Sequence, residues 1–201
     1  YITNDPWRGT GHLHDLTVVS PTFLDGRPIA LFACTSHLVD IGGVGMSPDG
    51  RQVYHEGLFI PIMPLARAGV VDEWLLKLVR ANVREPVQVE GDIYALMACN
   101  ETGAGRLLAM MAEYGLEDLQ ALAAHIIGQS RRAMTEAIQK LPKGTWRAEM
   151  RIDGYDEPID LAAALTIAED EILVDFAGSS GTVDRGINCP MCYTEAYTAF
   201  G

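Results

Sequence analysis

The chain has 201 residues, 48% of them hydrophobic, which is enough for one large or two small domains with a buried core. Its formal net charge is −12 and no lysine/arginine stripe offsets that charge, so the composition argues against a nucleic-acid partner. No apolar run approaches the roughly 18–20 residues of a membrane span, and no basic-then-apolar leader opens the chain, so we expect a soluble cytoplasmic protein.

The predicted elements begin with two β-type apolar runs separated by a turn signal. Residues 16–19 and 29–34 have strand composition, and the Asp-Gly-Arg-Pro stretch at 25–28 predicts a turn, so we expect a hairpin. Further along, Asp72 is expected to cap a helix. The face predicted to pack in that helix carries Leu75, Leu78, Val79 and Asn82.

Helical spacing of apolar residues is clearest over residues 103–141, where Gly115 is expected to separate two helices. Strand patterns return after residue 144. The sequence therefore predicts an α+β fold in three parts: a β-rich part with metal-site loops at 1–100, a central helical pair at 101–142 and C-terminal strands at 143–201. Because one end opens on a dense polar motif and the other stops in an apolar stretch, we expect a fragment of a larger subunit.

Two polar clusters share the pattern His-x-x-Asp. The first ends in His12, His14 and Asp15, and the second contains His37 and Asp40. A hairpin between the clusters would bring two imidazoles and one or two carboxylates together, which is a ligand set for Zn, Mn or Fe. A histidine near glycines often does no more than hydrogen-bond a turn, so spacing alone leaves a structural interpretation open.

The spacing also leaves open whether His12 or His14 is the ligand. In an extended segment the two rings point to one side and Asp15 to the other, so a turn is needed for His12 and Asp15 to share a metal. Glu56, which precedes a glycine, is a candidate general base.

The other motifs that carry chemistry are weaker. Cys189 and Cys192 form a single CxxC with no second pair nearby, which favours a structural interpretation over zinc or redox chemistry. The sequence contains neither GxSxG nor GxxxxGK[ST], so we expect neither a nucleophile elbow nor a P-loop ATP site.

A series of ordered motifs runs nearly end to end along the chain. They are Tyr-Ile-Thr-Asn-Asp-Pro at 1–6, Gly-Thr-Gly-His at 9–12 with Asp15, His-Leu-Val-Asp-Ile-Gly-Gly at 37–43, Glu-Gly-Leu at 56–58 with Ile-Pro at 60–61, Asn-Val-Arg at 82–84 with Pro86, Gly-Asp at 91–92, Val-Asp-Phe-Ala-Gly at 174–178 and Gly-Ile-Asn at 186–188. In this order they resemble the hydantoinase B/oxoprolinase family.

The resemblance implies a subunit of several hundred residues and a hydantoinase A-type partner with an actin-like ATPase fold. In that scheme the partner uses ATP to activate a ring amide as a phosphorylated imidate. The subunit that this chain resembles then adds water and opens the ring. Hydantoins, 5-oxoproline and other lactams are the substrates that the family implies, and the assembly is expected to be a hetero-oligomer.

By position, the resemblance implies that His12, Asp15 and His37 are metal ligands and that a further acidic ligand lies upstream of the chain. It implies a catalytic-site role for Asp40, as a ligand or as the partner that orients His37, and leaves Glu56 a candidate catalytic residue. The sequence departs from the family at His14, which stands where many members have proline.

Two alternative functions remain open from the sequence. One is a subunit of an ATP-dependent ketone carboxylase, for acetone or acetophenone, which a requirement for bicarbonate and a third, small subunit would favour. The other is a non-catalytic scaffold for the ATPase subunit. The full ligand sets at both clusters argue against this scaffold function.

Overall fold

The computed structural model describes residues 1–201 and confirms the predicted α+β class. Its strands are β1 (Ile2–Thr3), β2 (Asp15–Leu24), β3 (Arg27–His37), β4 (Ala66–Arg67), β5 (Val70–Val71), β6 (Gly144–Ile152), β7 (Ile159–Ile167) and β8 (Ile172–Asp175). Its helices are α1 (Val53–Glu56), α2 (Glu73–Asn82), α3 (Pro86–Tyr114), α4 (Gln120–Gln139) and α5 (Met191–Phe200). None of the helices combines the length and apolar character that crossing a membrane requires.

The chain forms two compact units. Unit 1 consists of Tyr1–Glu117 together with Val183–Gly201, and unit 2 consists of Asp118–Thr182. The segment boundary expected between residues 100 and 101 lies inside α3, which runs unbroken to Tyr114. The units therefore follow the packing of the chain and do not coincide with the three consecutive parts expected from the sequence.

The sheet of unit 1 is built on the predicted hairpin. Strands β2 and β3 pair antiparallel, and β1 pairs with the other edge of β2. Helix α3 packs on β2 and β3, and its buried Asn100 donates from Nδ2 to the Val18 carbonyl oxygen at 3.0 Å. The core between sheet and helices is apolar; its least exposed side chains are Ile2, Leu13, Leu16, Val18, Leu38, Ile41, Leu65, Leu76, Val79, Val89 and Ile93.

Helix α2 begins at the predicted cap. The Asp72 carboxylate accepts hydrogen bonds from the backbone amides of Trp74, at 2.9 Å, and Leu75, at 3.3 Å. The predicted buried face is wrong at two positions, because Leu78, which is 52% exposed, and Asn82 are both exposed, and Leu76 is fully buried instead. Leu76 lies on the side of α2 that faces the core, beside the buried Leu75, whereas Leu78 turns toward solvent.

Helix α3 is longer than the sequence indicated. It begins at Pro86, which suits a first-turn position because proline has no amide proton to leave unpaired. It ends as predicted at Gly115, whose φ of 63° lies in the left-handed region that glycine adopts without steric cost.

Unit 2 contains α4 and the antiparallel sheet β6-β7-β8. The serine-rich stretch after β8 continues hydrogen bonding along β7. Ser179 Oγ accepts from the Ala162 amide, and Ser180 Oγ accepts from the Asp160 amide, both at 2.9 Å. These side chains replace strand-to-strand bonds where β8 has ended.

Candidate metal centre

The hairpin brings the two polar clusters together at one end of the sheet. Strand β2 begins at Asp15 and β3 ends at His37, and antiparallel register makes these two residues direct cross-strand partners. Side chains of opposed residues on one face are neighbours. The His37 Nδ1 atom accordingly lies 3.0 Å from Asp15 Oδ1.

The loop before β2 supplies the third member of the group. His12 Nε2 lies 3.3 Å from Asp15 Oδ2, so the carboxylate contacts one imidazole with each oxygen. One ligand atom from each of His12, Asp15 and His37 lies within 4.8 Å of the others. A single ion with bonds of about 2.0–2.2 Å fits among donors at such spacing, and the set of two imidazoles and one carboxylate suits Zn, Mn or Fe.

His14 lies beside this group without joining it. Its ring stacks on that of His37, with centroids 5.0 Å apart and planes inclined by 16°. Burial, followed by the neighbouring His37 and His12 rings, lowers the pKa of His14, while Asp40 and Asp15 oppose that shift. Of the two candidate histidines, the structure therefore places His12 with Asp15 and His37, and His14 against the face of one ring.

Leu13 anchors the loop between the two histidines. Its side chain is fully buried, its amide donates to Glu56 Oε1 at 2.9 Å, and its carbonyl accepts from Asn4 Nδ2 at 2.8 Å. Asn4 is itself buried and also bridges to Leu58 and Ile60. Side chains thus bind both the amide and the carbonyl of Leu13. These bonds fix the backbone next to His12.

Two further hydrogen bonds fix the loop before β2, one between backbone groups and one to a side chain. The Leu38 amide donates to the His14 carbonyl oxygen at 2.8 Å, which joins the end of β3 to the loop before β2. The Asp5 carboxylate accepts from the Trp7 amide at 3.0 Å, so Asp5 closes a tight turn at the start of that loop.

Asp40, expected to be near the metal, is engaged elsewhere. It is 4% exposed and accepts hydrogen bonds from the Gly42 amide and from the backbone and guanidinium of Arg84. These donors, the Arg84 guanidinium first among them, hold the pKa of Asp40 well below its usual range despite burial. The carboxylate partner of the His37 ring is Asp15, and Asp40 instead ties the glycine loop to Arg84, two residues after α2.

The group is open to solvent on one side. The side chains of His12 and Asp15 are 19% and 21% exposed, whereas that of His37 is 56% exposed. Exchangeable ligands and a small molecule can therefore approach from the His37 side, while the backbone anchored at Leu13 supports the opposite side.

Contributions from Asn4 and from the C-terminal helix were not predicted from the sequence. Asn4 lies in the first cluster, but its spacing gave no sign that it bridges three backbone segments. In α5, Cys192 Sγ donates to the Pro6 carbonyl oxygen at 3.1 Å. Cys189, which precedes α5, accepts at Sγ from Thr194 Oγ1 at 3.3 Å. Both cysteines are free thiols.

Comparison with known proteins places the whole chain in one family. The family model for hydantoinase B/oxoprolinase matches residues 1–201. The chain is 32% identical over 203 residues to a putative D-/L-hydantoinase subunit of Pseudomonas sp. (strain NS671), covering 95% of this chain and 34% of that protein. It thus spans about a third of the length of this relative.

Two solved structures share the fold. The ATP-dependent caprolactamase from Pseudomonas jessenii matches with a TM-score of 0.85 and 27% identity, covering 92% of this chain and 33% of that one. Nucleotide-free acetone carboxylase matches with a TM-score of 0.83 and 20% identity, covering 94% of this chain and 27% of that one. The resemblance found in the ordered motifs is confirmed, and the chain belongs to the hydantoinase B/oxoprolinase family.

Proposed function

We propose that this chain is the metal-binding part of a subunit that adds water to a cyclic amide in an ATP-dependent enzyme. The observation that carries the proposal is the convergence of His12, Asp15 and His37 at the end of the β2–β3 hairpin. The subunit character and the ATP requirement are supported by the names of its relatives, a hydantoinase subunit and an ATP-dependent caprolactamase.

Each residue of the group has a distinct part in this proposal. His12 and His37 offer neutral imidazole nitrogens, and Asp15 offers the negative charge that attracts a divalent cation. These three residues would hold the divalent ion, which when bound would supply a coordinated water of lowered pKa. Because Asp15 contacts both imidazoles through different oxygens, it also aligns the two rings before any ion binds.

Asp40 and Glu56 act on this site through the backbone. Glu56 holds the Leu13 amide and Asp40 holds the glycine loop that follows the second cluster. We assign both as positioning residues, because Glu56 Oε1 accepts from the Leu13 amide and both oxygens of Asp40 accept from backbone or guanidinium donors. A hydantoinase A-type ATPase subunit is the proposed partner, and it supplies the activated ring.

The test is ring opening by the full-length subunit together with its ATPase partner. Hydantoin, 5-oxoproline and caprolactam are offered with ATP, and the ring-opened acids are quantified. We expect Asp15→Ala and His12→Ala to reduce the rate by more than about a hundredfold, since even residues behind metal ligands typically cost 10–100-fold. Ring opening at the wild-type rate by both variants would refute the assignment.

The same assay separates the carboxylase alternative. The acetone carboxylase likeness, at 20% identity, is a likeness of fold. If the complex forms product from a ketone, and only when bicarbonate is present, the ketone carboxylase function would replace the cyclic amidase proposal. No turnover of either substrate class by the assembled complex would favour the scaffold.

A further inference from the structure

Two of the free thiols of this chain lie on elements that pack against each other, away from the candidate metal centre. Cys34 is in β3, where it is half-buried against the apolar core. Cys99 is in α3 and is exposed. Because α3 packs on β3, the position of each cysteine along its own element decides whether the two thiols meet.

Helix α3 runs antiparallel to β3. Arg84, two residues before α3 begins, binds Asp40, which lies three residues beyond the end of β3. The first buried residue of α3, Val89, belongs to the same apolar cluster as Leu38, which directly follows the strand. Earlier positions in the helix therefore lie against later positions in the strand.

The middle of α3 makes a close contact with β3 at Gly103. A Cβ atom added to Gly103 would lie 2.6 Å from Phe32 Cε1 and 2.7 Å from its Cδ1, so the Phe32 ring packs on the helix backbone. Asn100 donates instead to the carbonyl of Val18, the β2 residue paired with Cys34. The Gly103 side of the helix therefore lies over β3, and the Asn100 side lies over β2.

One step along each element from the Gly103 contact leads to the two cysteines. Cys99 lies one turn before Gly103 on the same face of α3, which is roughly 6 Å along the helix axis. Cys34 lies two residues after Phe32 on the same face of β3, which is roughly 6.7 Å along the strand. Nearly equal steps in the same direction bring Cys99 over Cys34. Burial, followed by the neighbouring Cys99 thiol, raises the pKa of the Cys34 thiol, as this placement requires.

We propose that Cys34 and Cys99 are a redox modification site, at which a small disulfide oxidises the two thiols to a disulfide bond between β3 and α3. The inference does not depend on the proposed function. The product ties α3 to the strand that ends at His37, so the oxidation state of the pair reaches the element that carries a predicted metal ligand.

The reaction proceeds in two exchange steps. Exposed Cys99 loses its proton to solvent, and its thiolate attacks one sulfur of the small disulfide, which releases one thiolate and leaves a mixed disulfide. Cys34 then loses its proton and attacks the Cys99 sulfur, which releases the second thiolate. Two protein thiols are oxidised to one disulfide, and the small disulfide is reduced to two thiols. Cys34 reacts second because it is less accessible and its raised pKa leaves less thiolate.

The direct test is a peptide map of the folded, full-length subunit after treatment with oxidised glutathione. Remaining thiols are alkylated, and the protein is digested with trypsin without reduction. Cys34 lies in the tryptic peptide 9–51 and Cys99 in the peptide 85–106. We expect these peptides joined, and separated again by reduction. Cys189→Ala, at an exposed thiol outside the pair, is the matched control and should retain the joined peptide. Absence of the joined peptide from the oxidised wild-type protein would overturn the inference.

A second readout follows the order of the two steps. An aromatic disulfide that releases a coloured thiolate is added to the folded protein, and the early release is compared between variants. Relative to wild type, Cys99→Ala should lower the release by about two equivalents per chain, and Cys34→Ala by about one, because Cys34 reacts only through Cys99. A loss of about one equivalent in each variant would show that the thiols react independently and would overturn the proposal.

Discussion

The two units of the chain differ in how much of their apolar surface they bury themselves. Unit 1 contains every fully buried apolar side chain, whereas the buried apolar residues of unit 2 are Ile138 and Ala164. Every residue of β6 is exposed, although β6 pairs with β7 along its whole length. The sheet of unit 2 thus buries few of its side chains, while close packing supports the sheet that carries the candidate metal centre.

This difference bears on function because ligand geometry must be held tightly. The predicted ligands lie next to Leu13, Leu16 and Leu38, each at most 1% exposed. Packed side chains lock the backbone on which a site is built. The packed core of unit 1 therefore fixes the geometry of the His12–Asp15–His37 group. Substitutions in that core should lower the free energy of unfolding more than substitutions in unit 2.

The largest effect is expected from truncating the core beneath the site. Leu76→Ala should lower the free energy of unfolding by about 2–5 kcal/mol, because it leaves a cavity among buried side chains. Its matched control is Leu173→Ala in β8 of unit 2, where the leucine is 62% exposed. That change should cost less than about 1 kcal/mol. Urea unfolding of the full-length subunit measures both, and equal losses would contradict the comparison.

Removing the Asn4 bridge should have the next largest effect. Asn4→Ala deletes three hydrogen bonds to backbone groups and leaves buried carbonyls without partners, so we expect a loss of about 2–4 kcal/mol. Asn82→Ala is the control, since the exposed Asn82 bonds only within its own helix. If Asn4→Ala retained wild-type stability in urea, the bridge would not anchor the site loop.

A smaller, pH-dependent effect is expected at Asp40. Because its pKa in the folded protein lies below that of the unfolded chain, about 3.9, its contribution is complete above that pH and is lost as the pH falls toward the folded value. Asp40→Asn should cost about 1–3 kcal/mol at pH 7 and flatten the stability profile below pH ~4.

The matched carboxylate in unit 2 sharpens the result. Asp160 also has its pKa lowered by an arginine, Arg151, but this pair lies on the exposed sheet. Asp160→Asn should leave the unfolding midpoint unchanged, because exposed ion pairs contribute little. Thermal unfolding of both variants at pH 7 and pH 3 provides the measurement. Equal losses of thermal stability in Asp40→Asn and Asp160→Asn would contradict the claim that burial makes the Asp40 interaction the stronger of the two.

Much of the hairpin and the helix ends could be predicted from the sequence because the signals are local. The turn at residues 25–28, the Asp72 cap and the Gly115 terminus each depend on residues within a few positions. The start of α3 was not predicted from the sequence, where Gly91 weakens the local helix propensity. Burial of Val89 and Ile93 against the rest of the core overrides that local preference.

The candidate site was predictable in part for the same reason. Two His-x-x-Asp clusters joined by a hairpin are a short-range pattern, and the structure does bring His12, Asp15 and His37 together. The pattern could not choose His12 over His14, since that choice depends on a turn at Gly11. The approach of Tyr193, in α5, to Gly11 in the same loop depends on packing between distant segments, which no spacing reveals.

The central claim is tested most directly by the metal content of the full-length subunit. Elemental analysis should find about one divalent ion per chain in wild type and none in His12→Ala or His37→Ala. His125→Ala, in the exposed part of α4, is the matched control and should retain the ion. A wild-type subunit without metal, or an ion retained in both the His12→Ala and His37→Ala variants, would contradict the assignment of the site.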